Sequence, residues 1–138
     1  MTIDANIDLS NKKKCGAKLY FTNAVLGAKK GNNDSPLKAA WYLDTAETFI
    51  KPLIDIIQPK IIIAMGLAAY NTIASIYGLK QVSNLGKLID NSPVGQVLPF
   101  THIKVFAVYH CSNNGRRTRK EEQQNGDWMR IKAHYEVG

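Results

Sequence analysis

Pro59-Lys60-Ile61-Ile62-Ile63-Ala64-Met65-Gly66 is the stretch that decides the fold. Three consecutive isoleucines are stiff at χ1 and fit a pleated surface, so residues 60–64 are expected to form a strand. The run does not alternate apolar with polar, which is the pattern of a central parallel strand covered on both faces. Gly66 closes it and opens a helix expected over about 67–77, with Leu67, Ala68, Tyr70, Ile73, Ala74 and Tyr77 available to pack and Gly78 as its C-cap.

Upstream, Ser35-Pro36 reads as an N-cap followed by proline at the first helical position. The helix it starts places Leu37, Ala40, Trp41, Ala46, Phe49, Ile50, Leu53, Ile54 and Ile57 near one face, is expected to kink or divide at Pro52, and ends at Gln58-Pro59. Strand, helix, strand is thus the local unit.

Two further apolar runs stop at a polar residue. Leu19-Tyr20-Phe21-Thr22 runs into Asn23, and Val105-Phe106-Ala107-Val108-Tyr109 runs into His110. Strands are expected over 18–22 and 103–109, and ligands of open parallel sheets bind beyond the carboxyl ends of the strands, so Asn23 and His110 are candidates for one site. Tyr20 and Trp41 are expected in the core, His102 and His134 at the surface. Residues 79–101, with Gly86, Pro93, Gly95 and Pro99, are expected as loop with a short edge strand near Val97 to Phe100. Ser112-Asn113-Asn114-Gly115 reads as a turn before a terminal helix over about 118–135, which docks through Trp128, Ile131 and Tyr135 and is weakened in its middle by Gly126.

The chain of 138 residues is expected to form one α/β domain over 18–138 behind a polar, flexible arm over 1–17. Its net charge of +7 collects in Lys12 to Lys14 with Lys18, in Lys29-Lys30 and in Arg116 to Lys120, a distribution suited to a polyanion. The two cysteines, Cys15 and Cys111, form no C-x-x-C pair and have no spacing for zinc or an iron–sulfur cluster, so no metal or cofactor is expected and a reduced cytoplasmic protein is the simplest reading. No apolar stretch reaches the ~20 residues of a membrane helix, and residues 1–14 lack the apolar segment of a secretory signal. A thiol nucleophile at Cys111 is disfavoured, because strand neighbours point to opposite faces and His110 is adjacent.

Three segments in this order resemble the uracil-DNA glycosylase superfamily: Leu19 to Leu26, Pro59 to Gly66 followed by Ala68-Ala69, and Tyr109-His110-Cys111-Ser112. Together they span about residues 18–132. The resemblance implies a three-layer α/β fold, a central mostly parallel sheet flanked by helices. It implies that Asn23 reads a flipped base, since a fixed carboxamide offers one acceptor and one donor to the N3–H and O4 of uracil. It also implies that His110 donates to O2 as charge develops on the departing base, with Ser112 beside it in the base pocket. The loop that follows, with Asn113, Asn114, Arg116, Arg117 and Arg119, would wedge into DNA and contact phosphates.

The resemblance has gaps. The family's Gly-x-x-Pro motif, with the group that positions the attacking water, has no counterpart before Asn23, and Cys111 stands where the family has proline. The chain therefore reads as a glycosylase-type domain lacking the first βα unit, truncated or reduced, with a sheet edge open to self-association or a partner chain. Whether the natural reading frame continues upstream of Met1 into a Gly-x-x-Pro segment is the observation that divides a glycosylase from a non-catalytic module. Two functions follow: N-glycosidic hydrolysis of uracil or a related damaged base in DNA, or a non-catalytic nucleic-acid-binding or interaction module that keeps the fold. A flavodoxin-like nucleotide-binding domain is the third reading, and no glycine-rich phosphate loop supports it.

Overall fold

A computed structural model describes residues 19–24, 39–92, 94–110 and 113–137. The elements are helix α1 (Ala39–Thr45), a π-helical turn (Ala46–Ile50), α2 (Lys51–Ile57), β1 (Ile61–Met65), α3 (Leu67–Tyr77), α4 (Leu85–Asn91), β2 (Gln96–Val97), β3 (Lys104–Val108), α5 (Asn113–Thr118) and α6 (Glu121–Val137). The expected arm over 1–17, most of the loop after Asn23 and the Ser35-Pro36 cap lie outside the described residues.

The triple-isoleucine strand forms as expected, and β1 runs parallel to β3 with Met65 opposite Val108. The sheet is mixed, however, because β2 pairs antiparallel with β3 and the order is β1-β3-β2. Among the described residues β1 thus stands at one side of a three-stranded sheet, and Ile63 keeps 36% of its surface exposed. The segment expected as the first buried strand, 18–22, contributes a single bridge at Phe21. Leu19 and Phe21 are both about half exposed.

Strand alternation sends side chains to two layers. On one face Ala64 and Val105, with Ile62 and Ala107 partly buried, pack against Ile50 and Ile54 of the divided helix and Tyr70, Ile73 and Ala74 of α3. On the other, Phe106 and Val108 pack on Ile131 of α6 beside Ile61 and Met65. Helices thus flank both faces of the sheet.

Of the two outcomes expected at Pro52, a kink or a division, the helix shows the second: a wide turn divides it directly before the proline. Lys51 N–H bonds to Ala46 C=O, five residues back, and Pro52, which has no N–H to donate, follows it at the start of α2. One extra residue per turn also rotates the preceding face by roughly 100° relative to a continuous helix. Thr45 and Ala46 are buried, while Trp41, expected in the core, keeps 40% of its surface exposed.

α3 spans the expected residues, capped by Gly66 and Gly78. Within the region expected as loop, Asn84 accepts a hydrogen bond from the Lys87 N–H at 3.0 Å and starts α4. The segment leading to it is pinned by Asn71, whose amide donates to Val82 C=O and accepts from Val82 N–H, each at 2.9 Å. Asn71→Ala removes both partners and is expected to cost about 1–3 kcal/mol. A shifted urea midpoint at constant m-value measures this, and an unchanged midpoint would show that the segment holds without it. The β2 to β3 connection is closed by Leu98 N–H to Ile103 C=O at 2.9 Å, and Tyr70 OH reaches β2 by donating to Gln96 Oε1 at 2.8 Å.

At the carboxyl end the expected turn is the helix α5, and the terminal helix begins at Glu121. Its inward face also differs from the expected one. Ile131 is buried, but Trp128 and Tyr135 keep 40% and 46% of their surface exposed. Asp127 and half-buried His134 take the inner positions, His134 lying against the Phe106 ring at 5.6 Å between centroids. Among the described residues no helix is long and apolar enough to cross a membrane.

Candidate functional site

The parallel pair β1 and β3 creates the site. Beyond the last paired residues, Gly66 N–H donates to Val108 C=O at 2.8 Å, so the chain ends of both strands stay side by side before diverging. Gly66 adopts φ +100°, a conformation open to glycine and strained for any residue with a Cβ, and α3 leaves directly from it. On the neighbouring strand Tyr109 and His110 follow Val108.

An open cleft of about 420 Å³ lies at this position. One part of its wall is His110 with Gly115 and Thr118 of α5, and another is Ser83, Asn84 and Leu85 at the start of α4. Gly66 and Leu67 line it as well, so the N-terminus of α3 borders it. Tyr109 lines it too, its hydroxyl close to Gly86 of α4. Ser83 and Asn84 lie outside the sequence reading of the site, and Tyr109 enters it only as a member of the Tyr109-His110-Cys111-Ser112 segment. Only Asn84, an N-cap residue three positions before Lys87, carries a readable signal.

His110 is exposed in the wall of this cleft. Its backbone is held by close packing, because Gly115 lies so near that a Cβ there would run into the His110 carbonyl. Gly115→Ala is expected to force α5 off the strand end at a cost of about 1–3 kcal/mol, the range for overpacked sites. A thermal melt checks it, and an unchanged melting temperature would mean that α5 moves freely over His110.

The other expected site residues are distributed differently. Asn23 is exposed two residues beyond the Phe21 bridge and does not line the cleft. Ser112 lies outside the described residues, as does Cys111. Asn113, Asn114 and Arg116 belong to α5, their side chains outside the described set, and Arg117 is exposed on the same helix.

Arg119 departs from the expected role as a phosphate contact. It is 6% exposed, and its Nε and Nη2 donate to the two carboxylate oxygens of Asp127 at 2.6 and 2.8 Å. Nη2 also donates to Asp90 at 3.1 Å, and Arg130 donates to Asp127 at 2.6 Å. The hydrogen bond to Asp127 is the main reason the guanidinium holds its proton even more tightly than usual, against the cost of burial. A cation so enclosed cannot meet a phosphate without breaking its buried pair. The local pattern Arg116-Arg117-Thr118-Arg119-Lys120 does not show which arginine turns inward; that depends on the α5 to α6 turn.

Among the described residues no group of three His, Cys, Asp or Glu side chains is placed to hold a metal ion. The family model of the Uracil DNA glycosylase superfamily matches residues 3–134. The chain belongs to the uracil-DNA glycosylase superfamily. The match spans nearly all of this glycosylase-like chain, including the segments of Asn23, Gly66 and His110, and begins upstream of the first of them. No curated protein and no solved structure is a significant match.

Proposed function

We propose that this member of the superfamily binds DNA containing uracil or a related damaged base and hydrolyses the N-glycosidic bond, with His110 as the leaving-group donor. The observation that carries this reading is the position of His110 in a cleft at the carboxyl ends of the parallel strands. There the imidazole N–H donates to O2 of the base, where negative charge grows as the bond to the sugar breaks. Asn23 reads the N3–H and O4 edge. Because it stands outside the cleft wall, this role asks the segment around it to meet the base at the cleft mouth. Ser112 borders the base pocket, and Asn113, Asn114, Arg116 and Arg117 contact the strand on either side of the flipped nucleotide. Arg119 is not among them.

The missing Gly-x-x-Pro motif favours the second reading, a nucleic-acid-binding module with the glycosylase fold and no hydrolysis. Without a water-positioning group, hydrolysis loses roughly 100- to 10,000-fold. Uracil release from a single-stranded uracil oligonucleotide, followed by alkaline cleavage, separates the two readings. Excision by the wild-type chain that is lost in Asn23→Ala and His110→Ala supports a glycosylase. An intact oligonucleotide after incubation with an excess of folded protein supports the binding module.

A further inference from the structure

The buried arginine near the cleft has a geometry that the reading above does not use. Arg119 sits in the turn between α5 and α6. Its N–H bonds to Gly115 C=O at 3.0 Å, and the Gln124 amide donates to both Gly115 C=O and Arg119 C=O at 3.2 and 2.9 Å. Gly115 is the residue packed on the His110 backbone. The backbone of Arg119 is therefore tied to the His110 wall of the cleft, while its side chain is tied to Asp127 of α6 and Asp90 of α4. α4 begins at the part of the wall formed by Asn84 and Leu85. One guanidinium thus joins both parts of the wall to the helix that packs on the sheet.

We propose that Arg119 and Asp127 are positioning residues that set the separation of the cleft walls and hence where His110 stands. Its catalytic consequence rests on the reading of His110 as leaving-group donor. The structural consequence does not. A bidentate pair suits this task because the planar guanidinium fixes distance and orientation together, which a lysine ammonium does not. A displacement of about 1 Å at a catalytic group costs roughly 100-fold in rate, so a modest loosening is enough to matter.

The test compares the full-length wild type with Asp127→Asn, Arg119→Lys and Asp90→Asn. The first two keep size or charge and lose the paired fork. Asp90 has a mostly exposed side chain, so its variant keeps the fold even where the other two do not. Two quantities are read: the NMR signal of the His110 imidazole, assigned by its loss in His110→Gln, and kcat and KM for the single-stranded uracil oligonucleotide. His102, in the β2 to β3 connection at the far end of β3, is the control. The expected result for Asp127→Asn and Arg119→Lys is a shifted or doubled His110 signal with His102 unmoved. It is accompanied by a fall of roughly 10- to 100-fold in kcat with KM changed by less than about twofold. Asp90→Asn gives the same change in smaller degree. An unmoved His110 signal in any folded variant that has lost its link overturns the proposal, as does loss that falls on KM alone. A wild type that excises nothing overturns the glycosylase reading only, since the His110 signal still reports whether the walls are tied.

Discussion

Replacing His110 with alanine is expected to lower the rate of uracil excision by about 100- to 1,000-fold, the effect of removing one donor aimed at a developing oxyanion, or about 2.7–4 kcal/mol of transition-state stabilisation. The loss falls on kcat, because the charge on the base oxygen appears only as the glycosidic bond lengthens and is small in the bound ground state. The fold should survive the change, since the close packing at this point is between the Gly115 backbone and the His110 carbonyl, which alanine keeps. Single-turnover excision beside a thermal melt makes the comparison. Equal excision by wild type and His110→Ala, both folded, would remove this residue from the chemistry and leave the cleft as a binding feature.

Asp127→Ala is expected to cost about 3–5 kcal/mol of folding stability, because it leaves the Arg119 guanidinium buried without its main partner. The structural basis is the enclosure of both groups: the side chains are 7% and 2% exposed, and the shortest contact is 2.6 Å. Such a loss is a large part of the 5–15 kcal/mol typical of a whole domain. The pair as such is worth less than this. Replacing both members together, as Arg119→Met with Asp127→Leu, should recover most of the stability, since the cost of desolvating two charges disappears with them. Urea unfolding of the two single variants and the double variant measures the coupling directly. Additive losses in the double variant would show that each side chain acts alone. The stabilised double variant is also informative about the site, because it restores folding without restoring the fork that orients the cleft walls.

Local sequence alone determined those elements whose signals are local. Ile61 to Ile63 form a strand because β-branching favours it, and α3 runs between two glycines that cap it. The helix-flanked sheet and the position of His110 at a strand end follow from the same signals, and the order of three short segments placed the chain in its superfamily. Tertiary structure decided which faces are used. The wide turn before Pro52 shifts the helical phase by one residue, and Trp41 stays partly exposed, neither of which any periodicity in residues 37–57 announces. On α6 the inward positions belong to Asp127 and Ile131 rather than Trp128 and Tyr135, because a carboxylate is buried only where a partner meets it, and that partner, Arg119, lies across a turn. The hydrogen-bonded fork exists only once α4, α5 and α6 have come together. A charged residue in a basic run therefore reads as a surface contact in sequence and becomes part of the interior in the fold, since burial is a property of neighbours that the chain supplies from elsewhere.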